Sequence, residues 1–341
     1  MPTTTQKRPL LEVRNLSTRI GASHGTITVG RDISYELNPG ETLAIVGESG
    51  SGKSVNTMAL VGLQPKRATV TADKLAFEGR DLLTLPRDQM RTIRGNEISV
   101  IFQDPMTSLN PVLTVGEQLI EVYLAHGLGT RAEAEERAIY LLERVGMRNA
   151  AARMRQYPHQ LSGGLRQRVV IAIAMMCKPK LIIADEPTTA LDVTVQALIL
   201  SLLRELQDEF KMALILITHD FGVVASIADR VLVLYAGGVV ESGPAKDVIA
   251  NPAHPYTSGL LNCIPRMEDD DRGQPLNTIP GMVPSLAGNL HGCLFRNRCA
   301  LAEPACASDP IPEVAVGAGR MARCIHADAI LAETRAQEGG Q

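Results

Sequence analysis

The chain has 341 residues, 45% of them hydrophobic, and a formal net charge of −3; this allows a sizeable core and provides no basic field to draw nucleic acid. Aromatic residues make up 3% and tryptophan is absent, which argues against base-stacking platforms. No apolar run reaches the roughly 20 residues a membrane-spanning helix needs, and the N-terminal MPTTTQKRPLLEVRNL lacks a signal-peptide apolar centre, so a cytoplasmic protein is expected, reaching a membrane only through partners.

Residues 11–46 alternate short apolar stretches with Gly, Asn and Pro, a β-rich pattern. ETLAIV (41–46) reads as a buried strand entering a glycine-rich turn, and 53–62 as the helix after it. In RAEAEERAIYLLERV (131–145), Ala134, Ala138, Leu141, Leu142 and Val145 share one helical face. LIIAD (181–185), ALILIT (213–218) and VLVLY (231–235) are apolar runs of the kind buried in parallel sheets. Between the first two, Val195, Leu198, Leu202, Leu206 and Phe210 recur at helical spacing over 193–210. Strands alternating with helices predict an α/β core. Beyond about 250, prolines at 252, 255, 265, 275, 280 and 284 and the acidic run Glu268–Asp271 predict a loop-rich tail, with a boundary near 262 and disorder over the last dozen residues.

GESGSGKS (47–54) fits G-x-x-x-x-G-K-S and sits between an apolar strand and a helix. Gly47, Gly50 and Gly52 allow backbone conformations closed to other residues. With Glu48, Ser49 and Ser51 they form a loop whose N–H groups can face phosphate oxygens. Lys53 would reach the β- and γ-phosphates, and Ser54 would offer a hydroxyl to Mg²⁺. Asp185 ends an apolar strand, where ligands of open α/β sheets bind; it is the expected Mg²⁺ carboxylate, and Glu186 is placed to polarise an attacking water. Alone, either motif could be a surface loop or an acidic strand end; together they point to a nucleotide triphosphatase.

LSGGLRQRV (161–169) resembles the signature of the ABC ATPases. Ser162, Gly163 and Gly164 open a helix, a second anion-binding terminus that one nucleotide does not need. The resemblance implies head-to-tail pairing, in which Ser162, Gly163, Gly164 and Gln167 cover the ATP of a second subunit. It also implies roles for Gln103 in VIFQDP (Mg²⁺ and the membrane subunit), Asp192 in TALD (across the dimer) and His219 in LITHD (γ-phosphate). Ile20 stands where the family places an aromatic residue under adenine. The implied fold is a P-loop ABC-type α/β ATPase (7–262) with an antiparallel β-subdomain and a helical subdomain at about 105–165. A loop-rich, Cys-containing extension (263–330) and a disordered tail (331–341) would follow.

A narrower resemblance covers nearly the whole chain. FQDPMTSLNP, YPHQLSGG, ADEPTTALDVT, NPAHPYTSGLL, IPGMVPSL and GCLFRNRC look like the ATP-binding subunits of dipeptide and oligopeptide importers. It implies integral membrane permeases, an extracytoplasmic binding protein and a second, non-identical ATPase as partners, at the cytoplasmic face of the membrane. Relatives for nickel or glutathione share much of the pattern, and a non-transport ABC ATPase is the rival class. Cys293, Cys299, Cys306 and Cys324 are separated by five, six and 17 residues. In a Pro-rich tail they suggest a cross-link, for which zinc and an iron–sulfur cluster both accept four thiolates. The resemblance implies a 4Fe–4S cluster, structural or regulatory. Cys177 reads as a core residue, Cys263 as a free thiol, and His291 and His326 as loop histidines.

Overall fold

The computed structural model describes residues 8–22, 25–189, 191–264, 278–288 and 290–338; the acidic run Glu268–Asp271 and the prolines at 265 and 275 lie outside them. The chain divides into two compact units: one holds Leu37–Thr42 and Thr84–Ile217, the other Leu10–Glu36, Leu43–Leu83 and the chain from Thr218 onward. No helix among the described residues is long and apolar enough to cross a membrane.

In the first unit, strands Ile98–Ile101, Leu181–Asp185 and Ala213–Thr218 run parallel, with Leu181–Asp185 in the middle. Every residue of the two later strands is buried, which explains their unbroken apolar sequences. Helices Val115–Ala125 and Arg131–Arg144 each start on a capping box, Thr114 with Glu117 and Thr130 with Glu133. Ala134, Ala138, Leu141, Leu142 and Val145 are all buried, as their spacing predicts. Helix Val193–Phe210 has the predicted ends but a rotated face: Ile199, Leu200, Leu202, Leu203 and Leu206 are buried, whereas Leu198 is 52% exposed. Gln207 joins the buried side because its amide is satisfied there, accepting from Thr42 Oγ1 and donating to Gly40 O, both at 2.9 Å.

The second unit holds two sheets. In the N-terminal sheet, strand Leu11–Ala22 pairs antiparallel with Lys74–Phe77, matching Leu11 to Phe77 and Val13 to Leu75. All four are buried, while the alternating Glu12 pairs with Lys74 at 2.6 Å. The other sheet runs in the order Val314–Gly317, Arg320–Ala322, Gly238–Pro244, Arg230–Tyr235, Thr42–Val46. Only the last pair is parallel.

The C-terminal extension thus adds two strands to the sheet beside the glycine-rich loop. Its Phe295 is buried with Tyr235 and Tyr256, at ring separations of 5.2 and 5.4 Å. Pro255 opens a helix, Pro255–Asn262, rather than breaking one, since the first helical position needs no N–H. A helix also occupies Ala327–Glu338, running from the end of the extension into residues 331–338, which the sequence reads as part of a disordered tail; Ala327 and Leu331 bury against Ala253, Val316 and Ala322.

Candidate active site

The glycine-rich loop leaves the buried strand Thr42–Val46 and closes on helix Lys53–Ala59. Gly47, Gly50 and Gly52 have φ of 153°, 80° and 92°. A Cβ at Gly47 would lie 2.2 Å from Leu234 O, and one at Gly52 2.0 Å from Val29 O, so two of the three glycines are demanded by close backbone approach as well as by φ. Lys53 is buried, and its Nζ donates to Gly47 O at 2.7 Å and Glu48 O at 3.1 Å. Asn56 braces the loop, donating to Val29 O and Gly52 O at 2.8 Å each.

Ser49 and Gly50 form the exposed tip, and Ser54 lies half-buried in the first helical turn. Ser51 Oγ is buried with no hydrogen-bond partner. An orphaned hydroxyl on a glycine-rich loop that also carries an ammonium at Lys53 suits a phosphate group. In the same unit His219 is exposed just after strand Ala213–Thr218, and Asp220 caps the next helix through Gly222 N at 2.7 Å. Ile20 is half-buried in the N-terminal sheet, opposite Ala68.

The first unit carries the other half of the set. Asp185 ends its strand 8% exposed. Glu186 follows in the left-handed region, φ 46°, its N–H donating to Ile217 O at 3.0 Å. The Glu186 carboxylate receives two donors on Oε2, Gln103 Nε2 at 2.8 Å and Thr189 Oγ1 at 3.0 Å. Gln103 and Glu186 were expected separately; Thr189 was not, and only its place three residues on in EPTT hinted at it. Within this unit Asp185 and Gln103 carry carboxylate and amide oxygens of the kind Mg²⁺ takes, and in the other unit Ser54 carries a hydroxyl of that kind.

Ser162 caps helix Gly163–Met175 without using its side chain, which stays exposed beside Gly163. A Cβ on Gly164 would sit 2.9 Å from Val195 Cγ1, so this glycine lets two helices meet. Gln167 departs from its expected place: the helix turns it inward, fully buried, so it does not share the exposed face of Ser162. Asp192 is exposed and caps helix Val193–Phe210 through Val195 N at 2.9 Å.

The cysteine expectation is overturned. Among the described residues no three His, Cys, Asp or Glu side chains converge where they could hold a metal ion, which overturns the 4Fe–4S cluster and lends the zinc alternative no support. The cysteines pack instead. Cys293 and Cys299 lie against the Tyr235, Tyr256 and Phe295 cluster, and Cys324 sits with Ala322, Ala327 and Leu331. Cys306 is buried, and its carbonyl accepts from Cys293 N at 2.8 Å. Burial raises the Cys293 and Cys299 thiols and pushes Cys324 up to about 11, favouring the neutral form. Cys177 is a core thiol pushed up to about 11 by burial; Cys263 is half-buried and unbridged. His291 Nδ1 pairs with Asp309 Oδ2 at 2.8 Å, and the half-buried His326 donates its N–H to Cys324 Sγ at 3.4 Å.

Residues 31–189 match the ABC transporter family, and 240–306 match the oligopeptide/dipeptide transporter C-terminal region. The chain is 50% identical to the oligopeptide transport ATP-binding protein OppD of Salmonella typhimurium, over 92% of this chain and 93% of that protein. It is 48% identical to a putative peptide import ATP-binding protein of Brucella melitensis, over 96% of this chain and 99% of that one. Among solved structures it is similar to a dimeric ATP-binding cassette in a post-hydrolysis state bound to ADP and Pi. That likeness has a TM-score of 0.59 and 28% identity, covering 69% of this chain and 98% of the other.

Proposed function

Because this chain belongs to the ABC transporter family, among the ATP-binding proteins of peptide import, we propose that it hydrolyses Mg-ATP to drive uptake of dipeptides or oligopeptides through separate membrane subunits. The observation that carries the reading is Glu186, held by Gln103 and Thr189 directly after the buried Asp185.

The loop amides of 47–52 and Lys53 hold the β- and γ-phosphates. Ser54, Asp185 and Gln103 are the oxygen donors for Mg²⁺, which when bound offsets charge on the phosphate oxygens. Glu186 orients the attacking water and takes its proton. Two donors on one carboxylate oxygen set the plane of the group, so it needs little reorganisation when the reaction begins. Ser162 and Gly163, exposed at a helix start, serve the ATP of a second, non-identical ATPase subunit, with Asp192 acting across that junction and His219 at the γ-phosphate. The dimeric, ADP- and Pi-bound cassette similar to this chain supports such pairing.

Membrane association at the cytoplasmic face then rests on the permease subunits. Phe102, Met106 and Val112, exposed by 43%, 60% and 75% around Gln103, support docking there, since large exposed apolar side chains gathered in one segment mark contact surfaces. Nickel or glutathione uptake is the alternative for the same motor.

The test is to co-purify the chain with the products of its neighbouring genes, reconstitute them in vesicles, and follow phosphate release. Peptide-loaded binding protein should stimulate hydrolysis. Stimulation by nickel or glutathione in its place would reassign the cargo. Equal hydrolysis with and without the membrane subunits would reject transport coupling.

A further inference from the structure

The second residue of the phosphate loop is gripped from three sides. Glu48 takes both arms of Arg298 on its carboxylate, Nη1 to Oε2 at 2.6 Å and Nη2 to Oε1 at 3.0 Å. Its N–H donates to the Tyr256 hydroxyl at 2.8 Å. Its carbonyl accepts from Lys53 Nζ at 3.1 Å. Arg298 lies 250 residues away and Tyr256 lies 208 away. We propose that Arg298 and Tyr256 are positioning residues for nucleotide binding: the C-terminal extension holds Glu48, and through Glu48 it sets the shape of the phosphate loop and the affinity for Mg-ATP.

Arg298 is built for the task. Its side chain is 4% exposed, and it lies over the rings of Tyr235 and Phe295 at 5.8 and 5.9 Å. Besides Glu48, Nε donates to Pro280 O at 2.8 Å, Nη2 to Ile279 O at 3.2 Å and Nη1 to Tyr235 Oη at 3.4 Å. Every N–H of the guanidinium is thereby used. Lysine has neither the planar fork nor enough donors to reproduce this.

Glu48 matters to the cradle because its carbonyl, like that of Gly47, accepts from Lys53 Nζ and steadies it. A loosened Glu48 lets the Lys53 ammonium and the adjoining loop N–H groups wander before nucleotide binds. Binding must then order them, which weakens affinity while leaving chemistry at Glu186 alone. An extension that only tied the tail to the core would alter stability and leave nucleotide affinity unchanged.

The inference rests on reading residues 47–54 as the ATP cradle. The experiment is ATP titration of the assembled transporter carrying Arg298→Ala, Arg298→Lys, Glu48→Ala or the Arg298→Ala/Glu48→Ala pair. Each alanine variant should raise KM for Mg-ATP about tenfold with kcat within about twofold. The pair should be no worse than either single change, because both remove one interaction, and Arg298→Lys should fall between wild type and Arg298→Ala. An unchanged KM in folded Arg298→Ala, or effects that multiply in the pair, would overturn the proposal. If Arg298→Ala does not fold, Glu48→Ala decides it, since Arg298 keeps its contacts with Pro280, Ile279 and the rings; an unchanged KM there also overturns it. Lys53→Ala separates the two readings: unimpaired ATP binding in that variant would mean that the loop is not the cradle.

Discussion

Gln103 and Glu186 stand 83 residues apart in the chain, and Gln103 Nε2 donates to Glu186 Oε2 over 2.8 Å. The contact joins the segment that carries the exposed Phe102 and Met106 to the carboxylate assigned to the attacking water. A displacement of the Gln103 segment therefore reaches the Glu186 carboxylate through one hydrogen bond.

Glu186→Gln keeps the size of the side chain and removes its basicity. Turnover in the assembled transporter should fall at least about a hundredfold, the scale of a lost general base, while ATP binding persists. Single-turnover phosphate release, read beside ATP retained on gel filtration, checks both halves. Turnover near wild type would take Glu186 out of the role.

Glu241 is fully buried and accepts from Ala253 N at 2.8 Å, His254 N at 3.0 Å and Arg320 Nη2 at 2.9 Å. Glu241→Ala leaves a buried guanidinium without its counter-ion and two N–H groups without acceptors. The expected cost is about 3–5 kcal/mol of unfolding free energy. Urea titration by circular dichroism measures it. A loss below about 1 kcal/mol, the level of an exposed pair, would show that the pair contributes little.

Gly50 and Gly52 make a matched comparison. Both have positive φ, but a Cβ on Gly50 meets nothing within 4 Å, whereas one on Gly52 meets Val29 O at 2.0 Å. Gly50→Ala should cost about 1–2 kcal/mol, the strain of a left-handed alanine. Gly52→Ala should cost clearly more, because strand and loop must part. Thermal melts without nucleotide compare them, and equal shifts would contradict the geometry.

His254 is buried at the start of helix Pro255–Asn262, where Nδ1 accepts from Tyr256 N at 3.0 Å. Burial lowers its pKa to about 3. The folded chain holds it neutral while the unfolded chain, near 6.5, takes up the proton, so stability is full above about pH 6.5 and declines as pH falls towards 3. Between pH 7.5 and 5.5 the loss from this one group should be on the order of 1 kcal/mol. His254→Asn preserves a capping oxygen and removes the titration, so its urea midpoint should respond less to pH over that interval. An identical pH response in the variant would assign the effect elsewhere.

Local chemistry made much of the site legible. The glycine-rich loop, the strand carrying Asp185 and helix Val193–Phe210 were readable because each is specified by neighbours within a few residues: apolar runs, helical spacing, glycines where φ is positive. Periodicity was less sure about facing. Leu198 fits the helical repeat yet is exposed, because the neighbouring elements decide which side of that helix is covered. Spacing said least about the tail. Four cysteines suggested a metal cross-link, but the segment is held by two strands added to a sheet and by Phe295 among Tyr235 and Tyr256. Those contacts join residues tens of positions apart, and no short window records them. The same holds for Arg298 on Glu48 across 250 residues. By itself the sequence determined which groups can do the chemistry, since motif and spacing are local; only the tertiary structure decided which distant side chains hold those groups in place, since such contacts exist only once the chain has packed.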